Sequence, residues 1–586
     1  MEPGSEPLQG AEILVAGGKI VAVVEAGASL PELFTEDGKP LTFRDVPLEG
    51  AHVVPGLIDS MVNHDPDHDV LYLASGVTLV RDLGNDLGRI LDSKRPASRD
   101  AAPGPALHIA GGILAGSPPV TTEAVVVTHA EEAADKLPRL FELGVDYISF
   151  HLRLGLSQVA GGAVTGSPRE TLAAVAEISH ANDRKVWGPR LPSLTLQESI
   201  ELGQDGFLYL DAFLTEGDSW GGKAPEAGKE PETLDEATRR RLALIQGEDK
   251  RMIPLAPGMR LYAHRLDDPG DDPPVLMLLG PHYASGWSAE RDLRRSQGGE
   301  AYRKAGRRAV EAQRALLASL FGAGVSLVPG SGAPNPWILP GVGLHDELRE
   351  WRECGLSAEA TLAAATRGAA EALGLLEERG TITAGKIADL VVCKEDPRLL
   401  PDSLRNPQHV VLRGMHLPRT ELDARVEALV QKLTAVREAA KLPVEIEPLD
   451  FMEGGTPLLS GRVRTEGYGQ RISEELYAVS RGSENEMIFL SRVVTPGTAT
   501  YGTTTLWLRQ ELRGRLLESF EARINFGTEK DEVRVRGMRL GGQLRVQQQW
   551  KGEWSQQGQI NQPISFIDAG SITSSLNLQH LRPQGS

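Results

Sequence analysis

Val53-Val54-Pro55-Gly56-Leu57-Ile58-Asp59-Ser60-Met61-Val62-Asn63 reads as an apolar strand that turns at Pro-Gly and runs on to an aspartate. The carboxyl end of such a strand is expected to face a pocket. Strand-like runs then alternate with helical periodicity at Val77–Asp82, Ala106–Ala110, Tyr147–His151, Lys185–Trp187, Gly206–Leu210, Met252–Leu255 and Val325–Val328. With Val53–Asp59 they make eight, the number for an α/β chain folded as a (β/α)8 TIM-like barrel, whose chemistry sits at the carboxyl ends of the strands.

Outside this alternation the pattern changes. Ile13-Leu14-Val15, Gly17-Gly18 and Ile20–Val24 read as a hairpin, and a second run covers Leu41–Glu49. Similar strands return at Gly380-Thr381-Ile382, Gly385–Val392 and His409–Leu412.

Several of these stretches resemble one family. Pro55-Gly56-Leu57-Ile58-Asp59, Gly76–Asp82, Gly144–Ile148, the small-residue helix from Cys354-Gly355-Leu356 to Ala369-Ala370, and the Gly380…Gly385-Lys386-x-Ala388-Asp389-Leu390-Val391-Val392 signature are similar to the metal-dependent amidohydrolases, in their imidazolonepropionase- and prolidase-like branch. The resemblance covers about residues 8–415. It implies a barrel at 53–375, flanked by a small β-sandwich built from both its edges, residues 1–52 and 376–420. It also implies hydrolysis of carbon–nitrogen bonds by zinc or another divalent metal.

The metal positions of that family can be followed one by one. The His-x-His pair falls on Met61 and Asn63, and the carbamylated lysine near Ser149. The two later histidines fall at Trp187 and Tyr209, and the aspartate that positions water falls on Gly332. A thioether cannot replace an imidazole on a hard, water-activating zinc, and a carboxamide is a weak neutral ligand. Without a ligated metal or that aspartate, the inherited mechanism has neither an activated water nor a base. The expectation is therefore no metal and no other cofactor.

Two replacements for that site are open. His64-Asp65-Pro66-Asp67-His68-Asp69 follows the first strand, so His64, Asp65 and His68, with His151 after the fourth strand, could form a relocated catalytic site. Against this, Asp65-Pro66 reads as an N-cap with proline at N1, which explains the cluster by capping and solvation alone. The other replacement is a pocket formed by Asp59, Arg153, Trp187, Tyr209, His264 and His282, with further aromatic lining from Trp287 and Trp337. Such a lining suits a small apolar or ring-bearing ligand.

The whole chain bounds these readings. Its 586 residues predict two to four domains, and a net charge of −18 disfavours nucleic acid as a partner. Two cysteines exclude a disulfide scaffold, and no apolar span is long enough to predict a transmembrane helix. Oligomerisation is left open. The strand that normally precedes Pro7–Ile13 in the resembled family is absent, so a processed product is expected. The sequence as given reads as cytoplasmic, and as exported or periplasmic if a leader has been removed.

Insertions are expected at 215–250 and 262–313, and a helical connector at 421–449 with a Leu422, Val426, Leu429, Val430, Leu433 stripe. From 450 to 586 the period becomes two, predicting an antiparallel β domain. Three functions follow. The first is an amidohydrolase relative that has lost hydrolysis and acts as a binding or scaffold protein. The others are a hydrolase of non-peptide carbon–nitrogen bonds using the His64/His68 loop, and a hydrophobic-ligand binder working through the β domain.

Overall fold

The computed structural model describes residues 7–34, 39–48, 50–95, 103–116, 124–151, 168–191, 193–210, 255–258, 274–280, 283–284, 287–288, 291, 300–441 and strand segments between 457 and 560. The chain divides into two compact units, Met1–Pro273 with Leu293–Glu427, and Pro274–Asp292 with Ala428–Ser586.

In the first unit, β1 (Glu12–Ala16) and β2 (Lys19–Val24) form an antiparallel hairpin. Gly17 and Gly18 turn it at φ of 57° and 76°, a region closed to most side chains. The stretch around Pro55-Gly56, read as one strand, is two: β3 (His52–Pro55) and β4 (Leu57–Val62), which belong to different sheets. Gly56 makes the switch possible, because a Cβ there would lie 2.0 Å from Thr78 Oγ1.

Parallel strands carry the α/β part. β4 pairs with β5 (Val77–Asp82), and β5 with β6 (Ala106–Ile109). The two-residue strands β7 (Leu114–Ala115) and β8 (Val125–Val126) pair with each other. A second sheet holds β9 (Ile148–Ser149), β10 (Val186–Gly188), β11 (Gly206–Leu208) and β12 (Leu255–Ala256) in that order.

These ladders are two arcs, not the single closed sheet expected. Separate contacts connect them: Asp146 N donates to Ile109 O, Leu255 bridges Leu327, and Val62 bridges Ala333. The expected Val325–Val328 strand contributes only the bridge at Leu327. Pro329-Gly330-Ser331-Gly332 follows it, and proline and glycine there suit a turn better than a ladder.

The antiparallel sheet β3–β13–β14–β15 uses β13 (Leu390–Cys393), β14 (His409–Leu412) and β15 (Met415–Pro418). Ile20 N donates to Lys386 O and Ala388 N to Gly18 O, so the β1–β2 hairpin docks on the segment leading into β13. Ile20, Ala388 and Leu390 form their shared core with Ile13, Val15, Val23, Val53, Ile382 and Val411. Segments far apart in the chain thus bury one apolar face together.

Packed under the parallel strands is the small-residue segment. Ser357 caps the Ala358–Ala363 helix, which continues through Ala364–Gly368 and Ala369–Leu373 to Gly374 at φ 78°. Its Ala369, Ala370 and Leu373 join Ile58, Met61, Leu79, Tyr147, Trp187, Leu208 and Val328 in one buried cluster. Alanines allow this helix close to the strands.

The connector is a helix at Arg419–Lys441, with Leu422, Leu429 and Leu433 buried. In the second unit Arg437 donates to the carbonyls of Leu276 and Leu279, at 2.5 and 2.6 Å. Residues 274–292, expected within a barrel insertion, thus group with the second unit. The remainder is an eight-stranded antiparallel meander, each strand pairing with the next in the chain: β16 (Pro457–Gly467), β17 (Gln470–Arg481), β18 (Glu486–Thr495), β19 (Thr504–Arg513), β20 (Leu516–Asn525), β21 (Glu532–Leu540), β22 (Gln543–Trp550) and β23 (Glu553–Ile560). Leu508, Gln510 and Phe520 are buried on one of its faces. The strand expected at Ser571–Leu578 lies outside the described residues. No described helix is long and apolar enough to cross a membrane.

Candidate functional site

Asp59 is fully buried in the middle of β4. Its Oδ1 accepts from Ser331 N at 2.9 Å and Met61 N at 3.3 Å, and its Oδ2 accepts from Ser331 Oγ at 2.6 Å. Burial pushes its pKa up to about 6 in spite of these donors. Asp59 thereby ties the first strand to the turn after Val328.

Met61 is buried in the apolar cluster, and a Cβ on Gly330 would lie 2.3 Å from its own Cβ. Asn63 spends its amide on Gly84 O at 3.2 Å. Gly332 stands at φ 74° and donates its N–H to Met61 O. Ser149 is buried in β9. Tyr209 follows β11 at φ 66°, a left-handed backbone that is strained for an aromatic residue, and its N–H donates to Ala256 O.

Trp187 is the most informative of these positions. The Arg81 guanidinium lies 3.8 Å over its ring and 5.4 Å from the centre of the Tyr147 ring. Tyr147 stacks in turn on His108, with centroids 5.2 Å apart and planes 5° from parallel. Arg81 Nε donates to Ser60 O at 2.5 Å, and Tyr147 Oη donates to Asp82 O at 2.6 Å. The result is a column, His108–Tyr147–Arg81–Trp187, drawn from β6, the residue before β9, β5 and β10. Burial lowers Arg81 to about 10 and His108 to about 4, so the former is charged and the latter neutral at pH 7.

The loop after β4 is held tightly. Asp65 caps the Pro66–His68 turn, accepting from Asp67 N, with Pro66 at its start. Asp65 Oδ1 also meets Arg89 Nη2 at 2.8 Å. Burial pushes the Asp65 pKa up, but His68, Arg89 and the Asp67 N–H outweigh it and hold the carboxyl below its usual range. His64 Nε2 lies 2.8 Å from Asp69 Oδ1, and its backbone N–H donates to Asp82 Oδ1 at 2.7 Å. Asn85 and Gly84 N also donate to Asp82, whose burial still pushes it up to about 6. His68 is buried beside them.

His64, Asp65 and His68 therefore share one loop, whereas His151 stands after β9, its N–H donating to Leu114 O. Arg153, His264 and His282 lie outside the described residues, and Trp287 is buried in the second unit. Among the described residues no three His, Cys, Asp or Glu side chains form a group able to hold a metal. A thioether, a carboxamide, an indole and a phenol do not fit a hard divalent ion.

Sequence reasoning missed the role of Arg81, the partner of His64 in Asp69, and the partner of Asp59 in Ser331. Arg81 carried a signal: a lone cation on the strand face it shares with the apolar Val77 and Leu79. Ser331, 272 residues from Asp59, carried none.

The sequence model of the Amidohydrolase family matches residues 343–421. Among solved structures, the bottromycin amidohydrolase is 20% identical with a TM-score of 0.54, over 72% of this chain and 86% of its own. A Bifidobacterium longum protein described as a candidate prolidase is 19% identical with a TM-score of 0.51, over 72% and 94%. A further amidohydrolase is 16% identical with a TM-score of 0.50, over 71% and 97%. At these identities the structural likeness speaks to the fold. No curated protein matches the sequence. The family segment and the fold are thus both similar to those of amidohydrolases.

Proposed function

We propose that this chain is a binding or scaffold member of the amidohydrolase superfamily, built on a (β/α)8 barrel in which metal-dependent carbon–nitrogen hydrolysis has been lost. The observation that carries this reading is the Arg81 guanidinium stacked 3.8 Å from Trp187, a fixed organic cation against the residue aligned with a metal-ligating histidine. Met61, buried against Gly330, and Asn63, bonded to Gly84 O, support it from the first strand. Barrel closure is supported by the Leu255–Leu327 and Val62–Ala333 bridges at the two sides of the eighth segment.

The test is metal content. After exhaustive dialysis the protein is expected to retain no stoichiometric zinc, and chelator is expected to leave its melting temperature unchanged, because no bound-state stabilisation is removed. One or two zinc ions retained per chain, with a melting temperature that falls on chelation, would overturn the reading.

A second reading has its own observation. Asp69 holds His64 at Nε2, and the buried His64 Nδ1 has no hydrogen-bond partner among the described residues. A carboxylate-oriented imidazole with a free second nitrogen is the arrangement of a general base. If the loop hydrolyses carbon–nitrogen bonds, His64→Ala abolishes turnover of a substrate found in an amide and carbamate panel, while chelator has no effect. Turnover untouched by His64→Ala removes this reading.

A further inference from the structure

The sandwich carries a pair of imidazoles that neither reading uses. His409 begins β14 and His416 lies in β15. In the ladder His409 faces Pro418 and Val411 faces His416, so the two histidines sit diagonally on the same face of adjacent strands. His416 Nε2 lies 3.0 Å from His409 Nδ1, with ring centroids 4.9 Å apart and planes 34° from parallel. Both side chains are half-buried, while Val410 and Leu417, paired between them, are buried on the opposite face and fix the backbones.

We propose that His409 and His416 form a two-histidine site for a late first-row divalent ion, such as Zn2+, Ni2+ or Cu2+. Two imidazole nitrogens on one zinc, each at about 2.0–2.1 Å, stand roughly 2.8–3.4 Å apart between square and tetrahedral angles. The separation in the sandwich already falls in that range. An ion would replace the proton shared between the rings, with small ring rotations and no change in the ladder. Imidazole nitrogens select late transition ions over Mg2+ and Ca2+, which take oxygen.

Two protein ligands leave the remaining coordination positions to water or to a small chelating ligand. Glu421 is the nearby carboxylate, already paired with Arg425 at 2.7 Å, and Arg44 is the nearby cation. The site is therefore expected to be exchangeable, and its ion to be lost on dialysis. Its fate is independent of the barrel reading, which concerns retained metal.

The experiment uses the full chain, stripped with chelator and titrated with Ni2+ and with Mg2+ by equilibrium dialysis. The wild type is expected to bind one Ni2+ that His409→Gln and His416→Gln each weaken at least tenfold, and that His52→Gln, a control in the same sheet, leaves unchanged. Mg2+ is expected not to compete. Ni2+ binding equal in all four proteins overturns the proposal. Should either variant fail to fold, Cu2+ electron paramagnetic resonance on the wild type decides instead: two coupled imidazole nitrogens are expected, and one or none overturns the assignment.

Discussion

Arg81 concentrates the energetic peculiarity of the interior beside the parallel strands. A fully buried guanidinium is costly, and it is compensated here by two aromatic faces, one carbonyl and the Coulombic attraction of Asp59, with no direct ion pair between the two among the described residues. Lysine keeps the charge but has no planar face to stack. Arg81→Lys is therefore expected to cost about 2 kcal/mol, the scale of a desolvated cation–π contact. Urea unfolding reads the loss, and Trp187 emission should shift with it; an unchanged midpoint and spectrum would show that the stack is incidental. Asp82 allows a prediction with a sign. Its folded pKa, about 6, lies above the ordinary carboxyl value of 3.8. Between those values the folded state holds a proton that the unfolded chain has released, so this group's contribution to stability falls as pH rises from about 4 to about 6, and is flat above. Asp82→Asn removes that slope. The stability of wild type minus variant should decline across the window, and a difference independent of pH would refute the assignment.

Gly56 is where two elements meet. The chain passes from the four-stranded antiparallel sheet in β3 to the parallel arc in β4 within a single residue, beside Thr78 of β5. A methyl there would collide with Thr78 at 2.0 Å, so Gly56→Ala is expected to cost about 1–3 kcal/mol as overpacking. Adding Thr78→Ala should return much of it, because the clash is with that side chain. Denaturant midpoints of the two single variants and the double give the coupling, and strictly additive losses would show that Gly56 matters for its backbone alone. At this scale the sequence was legible in kind but not in division. Apolar run, Pro-Gly and aspartate mark a strand, yet the apolar run continues on both sides of Pro55-Gly56, and only a hydrogen-bonding partner distinguishes one strand from two. The Val325–Val328 run failed in the opposite sense: its composition reads as a strand, but it makes one bridge before Pro329 ends the ladder.

For the whole molecule, the docked β1–β2 hairpin makes the first residues a condition for the stability of the rest. Ile20 shares its core with Ala388 and Leu390. Deleting residues 1–50 is expected to uncover the Ile387–Val392 surface, lower the melting temperature and promote aggregation, since one side of a shared apolar face is removed. A truncated chain that stays soluble and equally heat-stable would show that the hairpin is dispensable. The second unit behaves differently in topology. Each strand of its meander pairs with its sequence neighbour, so its contacts are local and its order follows directly from the alternation in the chain.

What the sequence determined by itself was the kind of each element and the chemistry offered at each position. Apolar runs on both sides of Gly17-Gly18 marked the hairpin, small residues marked the helix under the strands, and no imidazole or carboxylate stands at residues 61, 63, 149, 187, 209 or 332. Those are properties of side chains and of their local spacing. Tertiary structure alone decided which groups meet: Arg81 with Trp187, Asp59 with Ser331, and the two arcs with single bridges between them. His64 with Asp69 and His409 with His416 are near in sequence, but their bonds depend on ring directions set by burial and by strand pairing. The reason is physical. Local backbone preference acts over a few residues, whereas a buried charge finds its partner only after the chain has excluded water from around it.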